Sequence, residues 1–212
     1  MGGVRRIDSL YGEVCIMIIL YETERLIIRQ WEEKDAADLF EYCSDGEVTK
    51  YLRFPTYTDI KDAHERIADM QKRYAKDKIK ETDWAIVLKS GVGEVEDENS
   101  TEKAIGSIGI VSYEKGYNDA NPIAEIGYIM NTKFQGKGYM TEALVGMFKW
   151  IKHSNIAKRI EAKHDTANEA SGRVMQKAGM IFEGIKRKAT SNNMNARADV
   201  AIYSILWEEI KV

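Results

Sequence analysis

The sequence predicts a mixed α/β (α+β) domain built around one sheet. Two observations predict it. Helical spacing early in the chain gives way to strand-like alternation, and the last third reads strand, helix, strand, helix and two strands. With 212 residues, 44% of them apolar and 31% charged, the chain can build one core and has a globular balance.

The elements follow in order. Thr23 to Trp31 reads as an opening strand, with Leu26, Ile28 and Gln30 alternating around β-branched Ile27. Lys34 to Ser44 places Ala36, Leu39, Phe40 and Cys43 at helical spacing. After a turn at Phe54-Pro55, Thr58 is positioned to cap a longer helix. The stripe of that helix is Ile60, His64, Ile67, Gln71 and Tyr74, where His64 reads as a hydrogen-bonded, partly buried residue rather than a catalytic one. Strands are expected over Asp83 to Lys89 and Ala104 to Glu114. An acidic, aperiodic hairpin loop, Gly91 to Ser100, joins them. Ala124 to Met130 reads as a short strand. The helix after it, from about Lys137 to His153, carries the stripe Met140, Ala143, Leu144, Met147, Phe148 and Ile151. Arg159 to His164 is a strand, and Asn168 to Ala178 a helix ended by Gly179. Ile181 to Lys188 and Asp199 to Trp207 close the fold around the polar turn Ser191 to Asn195.

Residues 1–21 read as an N-terminal extension and 22–212 as a single domain. Arg5 and Arg6 before the apolar run Cys15 to Leu20 imitate a secretory signal, but that run spans only six residues and Asp8 and Glu13 interrupt the approach. A membrane span needs roughly twenty apolar residues. Met17 is the alternative start, with 1–16 upstream of it. The formal charge of −3 argues against a broad nucleic-acid surface. Cys15 and Cys43 lie far apart, and His64, His153 and His164 show no ligand spacing. Neither a metal site nor a disulfide is expected, and reduced thiols fit a cytoplasmic location.

Chemistry concentrates in Glu125 to Thr141. A strand passes through a glycine-containing turn into an amphipathic helix. Gly136 and Gly138 allow close backbone approach to a ligand, and the unpaired amides of the first helical turn favour an anion. Residues 136–141 therefore read as a phosphate or pyrophosphate site, with Thr141 adding a hydroxyl. A plain tight turn explains two glycines about as well. The P-loop and dinucleotide fingerprints both fail here.

Gln135-Gly136-Lys137-Gly138-Tyr139-Met140-Thr141 resembles the acetyl-CoA pyrophosphate loop of GNAT acetyltransferases, Gln/Arg-x-x-Gly-x-Gly/Ala. Thr23 to Arg29, Trp84 to Val87, Ile105 to Gly109, Glu125 to Tyr128, Asn168 to Ser171 and Lys177 to Gly184 follow the RimJ/RimL-like branch in order, covering about residues 22–207. Met140 stands where the general pattern has a small residue. The resemblance implies the GNAT fold, a mostly antiparallel sheet splayed at the cofactor site. It also implies that Ile129 and Met130 bond pantetheine and that Gln135 to Thr141 hold the pyrophosphate. In the same way Asn168 would meet the pantetheine arm and Ser171 would protonate the leaving thiolate. A helix-capping Asn168 and a packing Ser171 are the alternatives. A bulge near Gly127 is expected.

The implied reaction is direct acetyl transfer to a primary amine, which must be neutral to attack. An N-terminal amine near pKa 8 is easily deprotonated, whereas a lysine at about 10.4 costs roughly 4 kcal/mol at neutral pH. Glu125 is the first candidate base, with pairing to a lysine as its alternative reading, and His164 is the second. Thr190 occupies a region where some relatives place a catalytic glutamate. The acceptor reads as a ribosomal-protein-like N-terminus. A small amine and a non-catalytic acyl-CoA-binding module are the alternatives. The enzyme is expected as a monomer or homodimer.

Overall fold

The computed structural model describes residues 4–8, 14–76, 82–92, 102–115, 121–194 and 197–211, with side chains from residue 18 onward. Its strands are β1 (Val4–Asp8), β2 (Val14–Glu22), β3 (Leu26–Arg29), β4 (Thr82–Leu88), β5 (Ala104–Glu114), β6 (Ile123–Met130), β7 (Arg159–Asp165), β8 (Ile181–Ser191) and β9 (Arg197–Leu206). The helices are α1 (Ala36–Cys43), α2 (Gly46–Thr49), α3 (Ile60–Tyr74), α4 (Tyr139–His153) and α5 (Glu169–Lys177). The strands form one sheet in the order β1-β2-β3-β4-β5-β6-β7-β9-β8. All described neighbours pair antiparallel except β6 and β7, whose parallel pairing needs the crossover that α4 supplies.

Alternation along β4 shows how one sheet carries two cores. Trp84, Ile86 and Leu88 point toward α4 and α5, while Ala85 and Val87 point toward α1 and α3. The α4 stripe expected from sequence, Met140 through Ile151, is buried at every position. On the other face, Arg29 is wholly buried and forms a fork with Asp35, Nη1 to Oδ2 at 2.7 Å and Nη2 to Oδ1 at 2.9 Å. That pair ties β3 to the start of α1.

Several expectations change. Residues 14–21, read as part of an extension, lie in strand β2, which pairs with β3. Its Tyr21 is buried, packs on Gly146, and donates to the Ala143 carbonyl at 2.7 Å. The cap of α3 is Asp59, not Thr58, because extended Asp59 accepts from the Lys61 amide at 2.8 Å. The core face of α3 is Ala63, Ile67 and Met70, one residue around from the expected stripe, so Ile60 is exposed. His64, off that core face, is still hydrogen-bonded and partly buried as read from the sequence, its Nδ1 bonding Glu33 at 2.5 Å. The acidic loop lies outside the described residues from 93 to 100. Among the described residues no helix is long and apolar enough to cross a membrane.

Candidate active site

The site begins where two strands part. β6 pairs with β7 only from Ile123–Arg159 to Ile126–Ala162. Beyond that, β6 stays on β5 as far as Met130, and β7 stays on β9 as far as Asp165. Main-chain groups of residues 127–130 that would bond a parallel neighbour therefore face a gap. The register irregularity lies on β5, between Ile110 and Ser112, rather than on β6 as expected. The extra residue is Val111, and Gly127 makes room for it: a Cβ there would sit 2.7 Å from the Val111 Cγ1.

At the end of β6, a 3₁₀ turn (Thr132–Phe134) leads into the glycine loop. The Gln135 side chain turns back and donates to the Met130 carbonyl at 3.1 Å, pinning loop to strand. Gly136 and Gly138 both take left-handed conformations, φ 77° and 83°. α4 starts at Tyr139, not Lys137, because left-handed Gly138 is its N-cap. The Glu142 amide reaches the Gly138 carbonyl at 3.0 Å, so the amides of Tyr139, Met140 and Thr141 precede the first such bond. Gln135, Gly136, Gly138 to Thr141, Ile129 and Met130 all line a cleft of about 600 Å³; Lys137, exposed, does not.

Asn168 and Ser171 line the same cleft from α5. Asn168 caps that helix, its Oδ1 accepting from the Ser171 amide at 3.2 Å. Sequence reasoning missed Tyr128 beside them. Its hydroxyl lies 3.0 Å from the Ser171 carbonyl oxygen and 3.0 Å from Ser171 Oγ. Burial pushes the Tyr128 phenol well up, and the Ser171 hydrogen bond offsets only part of this, so it stays protonated. The signal was present, since Tyr128 ends the Glu125 to Tyr128 motif, but its partner lies 43 residues away.

The two candidate bases are elsewhere. Glu125 sits on the paired half of β6 and forms an ion pair with Lys163 at 2.6 Å. His164 packs against Gly172 and Tyr203, and its Nδ1 donates to the Asp165 carbonyl at 2.8 Å. Neither lines the cleft. The carboxylates that do are paired: Glu47 with Lys50 at 2.6 Å, and Glu169 with Arg173 at 3.1 Å.

The far mouth of the cleft includes Glu47 to Leu52. Asn193, at the β8–β9 turn, donates to the Thr49 carbonyl at 2.9 Å and the Phe54 carbonyl at 2.6 Å. Asn192 donates to Asp165 Oδ2 at 2.7 Å, so the start of this turn is tied both to β7 and to the chain at residues 49–54. Thr190 pairs with Ala198 on β9, and its hydroxyl donates to the Ser191 carbonyl at 3.3 Å.

Glu41 anchors the loop below. It pairs with Lys133 at 2.6 Å and Lys103 at 2.9 Å. Burial raises its carboxyl, but these lysines outweigh burial and hold it at about 2. A depressed carboxylate stabilises the fold fully above its unfolded value and loses that as pH falls toward 2. Urea unfolding from pH 5 to 2 is therefore expected to show wild type losing its advantage over Glu41→Gln, about 1–2 kcal/mol after solvent screening.

Free amides at a helix start, glycines that leave the turn open, and a strand gap beside them suit a diphosphate joined to an extended amide-bearing arm. Coenzyme A has that shape, and a transferase using its thioesters is the class this fold defines. Comparison with known proteins makes the class specific. Residues 25–181 match the acetyltransferase (GNAT) domain, and the chain belongs to that family. The uncharacterized N-acetyltransferase YnaD of Bacillus subtilis is 32% identical over 188 residues, covering 88% of this chain and 96% of its own. A ribosomal-protein-serine acetyltransferase of Escherichia coli is 31% identical over 97 residues, covering 46% of this chain and 53% of its own. RimL, a ribosomal L7/L12 α-N-protein acetyltransferase solved with coenzyme A, superposes with a TM-score of 0.71 at 19% identity, covering 89% of this chain and 97% of its own. The chain is an acetyl-CoA-dependent N-acetyltransferase.

Proposed function

We propose that the acceptor is the α-amine of a protein N-terminus, acetylated in the cytoplasm, with Ser171 as the proton donor to the departing sulfur. The observation that carries this reading is the state of the cleft carboxylates. Glu47 and Glu169 are both ion-paired, and no histidine is among the lining residues. A site without a free base suits an amine that is already partly neutral. An α-amine, with pKa near 8, meets that condition about a hundredfold better than a lysine.

Acetyl-CoA, when bound, supplies the activated acetyl group. Residues 136–141 hold the diphosphate through main-chain donors, and Ile129 and Met130 offer β6 backbone to the arm. Asn168, with its Oδ1 committed to the cap, has its amide nitrogen left for the same arm. Tyr128 has one proton for two partners. When it donates to Ser171 Oγ, the serine proton is free to turn into the cleft. The nitrogen of the acceptor bonds the acetyl carbon as the C–S bond breaks. Its surplus proton leaves to solvent at the open mouth, while Ser171 gives its proton to sulfur and takes one back from the Tyr128 hydroxyl, which is in turn reprotonated from solvent.

A thiol-release assay separates the acceptor classes. Peptides with free N-termini are expected to be turned over, with rate rising to a plateau above about pH 8. Their N-blocked, lysine-containing counterparts are expected to give no release. Faster release with polyamines or amino acids would place the enzyme among small-amine transferases. Binding without release from any amine would make it a carrier.

A further inference from the structure

We infer that Arg25 is a positioning residue of the glycine loop: it fixes the Lys137–Gly138 peptide so that its N–H, not its carbonyl, faces the cofactor diphosphate. The inference rests on residues 136–141 being the diphosphate site.

Arg25 lies in the β2–β3 connection, 112 residues from the loop it touches. Its guanidinium makes three contacts at once. Nη1 donates to the Lys137 carbonyl at 3.1 Å, Nε donates to Glu142 Oε2 at 2.6 Å, and the group stacks on the Tyr139 ring at 4.6 Å. Glu142 in turn is held by the Arg25 amide at 2.9 Å and the Thr23 hydroxyl at 2.5 Å. The guanidinium therefore has one position and reads as part of the scaffold.

Its direction of approach matters. Gly136, Gly138, Tyr139, Met140 and Thr141 line the cleft, but Arg25 and Lys137 do not. Arg25 thus grips the loop from behind. Every described peptide bond is trans, so a carbonyl drawn backward sends the N–H of the same peptide forward. That N–H belongs to Gly138, which has no protein acceptor among the described residues. A flip of this peptide turns ψ of Lys137 and φ of Gly138, and left-handed Gly138 can change φ at little cost; the flip would aim a carbonyl oxygen at the phosphates. Arg25 removes that alternative. It also neutralises Glu142, which stays ionised at the helix start because hydrogen bonds from Thr23 and Arg25 outweigh its burial.

Orientation and simple charge attraction predict different results for Arg25→Lys. Lysine keeps the charge but cannot bond Glu142 and the carbonyl as a fork. Calorimetric titration with coenzyme A is expected to show Kd raised about tenfold in both Arg25→Lys and Arg25→Met. At saturating acetyl-CoA, kcat is expected within about twofold of wild type, since the reacting end is untouched. In ¹⁵N spectra the Gly138 amide is expected to move downfield with coenzyme A in wild type and not in Arg25→Lys. Wild-type affinity in Arg25→Lys would overturn the inference while leaving the site in place. If Gly138→Val also bound coenzyme A normally, the diphosphate site itself would be refuted.

Discussion

Alanine at Ser171 is expected to lower kcat about 100-fold or more while Kd for acetyl-CoA changes less than about twofold. The hydroxyl is the one side-chain donor on α5 that both lines the cleft and is hydrogen-bonded to a second proton source, Tyr128. Its loss leaves sulfur to depart as an anion in a partly dry site, while the main-chain grip on the diphosphate is untouched. Tyr128→Phe keeps the ring, removes the partner hydroxyl, and is expected to cost about tenfold in kcat. Stopped-flow thiol release and calorimetry together separate the two quantities. Unchanged kcat in Ser171→Ala would remove serine from the chemistry and leave proton transfer to water.

Valine at Gly138 is expected to raise the Kd for coenzyme A about 30-fold or more. The residue sits at φ 83°, where a β-branched side chain is strained by roughly 1–2 kcal/mol. A Cβ there would also lie 3.4 Å from Arg25 Nη2, so the backbone cannot relax toward that side without disturbing the loop. Asparagine tolerates the left-handed region, and Gly138→Asn is expected to weaken binding only a few-fold. Equal losses from valine and asparagine would show that bulk rather than backbone conformation matters.

Much of this fold was legible because it rests on local patterns. The α4 stripe follows from 3.6-residue spacing, and the alternation around β4 and β6 from the pleat. The glycine loop was legible for the same reason, since two glycines before a strongly amphipathic helix restrict what the chain can do. What could not be read depends on distant pairs. Tyr128 meets Ser171 across 43 residues, and Arg25 meets Glu142 across 117. Each was visible only as a letter within a motif. The α3 cap was a contest between two neighbouring residues able to fill the role, decided by which backbone was extended. α2 spans four residues, too short for periodicity to reveal. Glu125 reads from the sequence either as a base or as a carboxylate paired with a lysine, and which lysine lies within reach, Lys163 on the next strand, shows only once β7 is placed beside β6.

The two-sided sheet has a consequence for how such enzymes diversify. The glycine loop is mounted on the layer packed around α4, whereas the mouth at residues 47–52 leans through Val48 on the layer around α1 and α3. Substitutions can reshape the entrance for a new acceptor without loosening the frame that grips the nucleotide. Chemistry and selectivity are thereby carried by separate foundations within one chain.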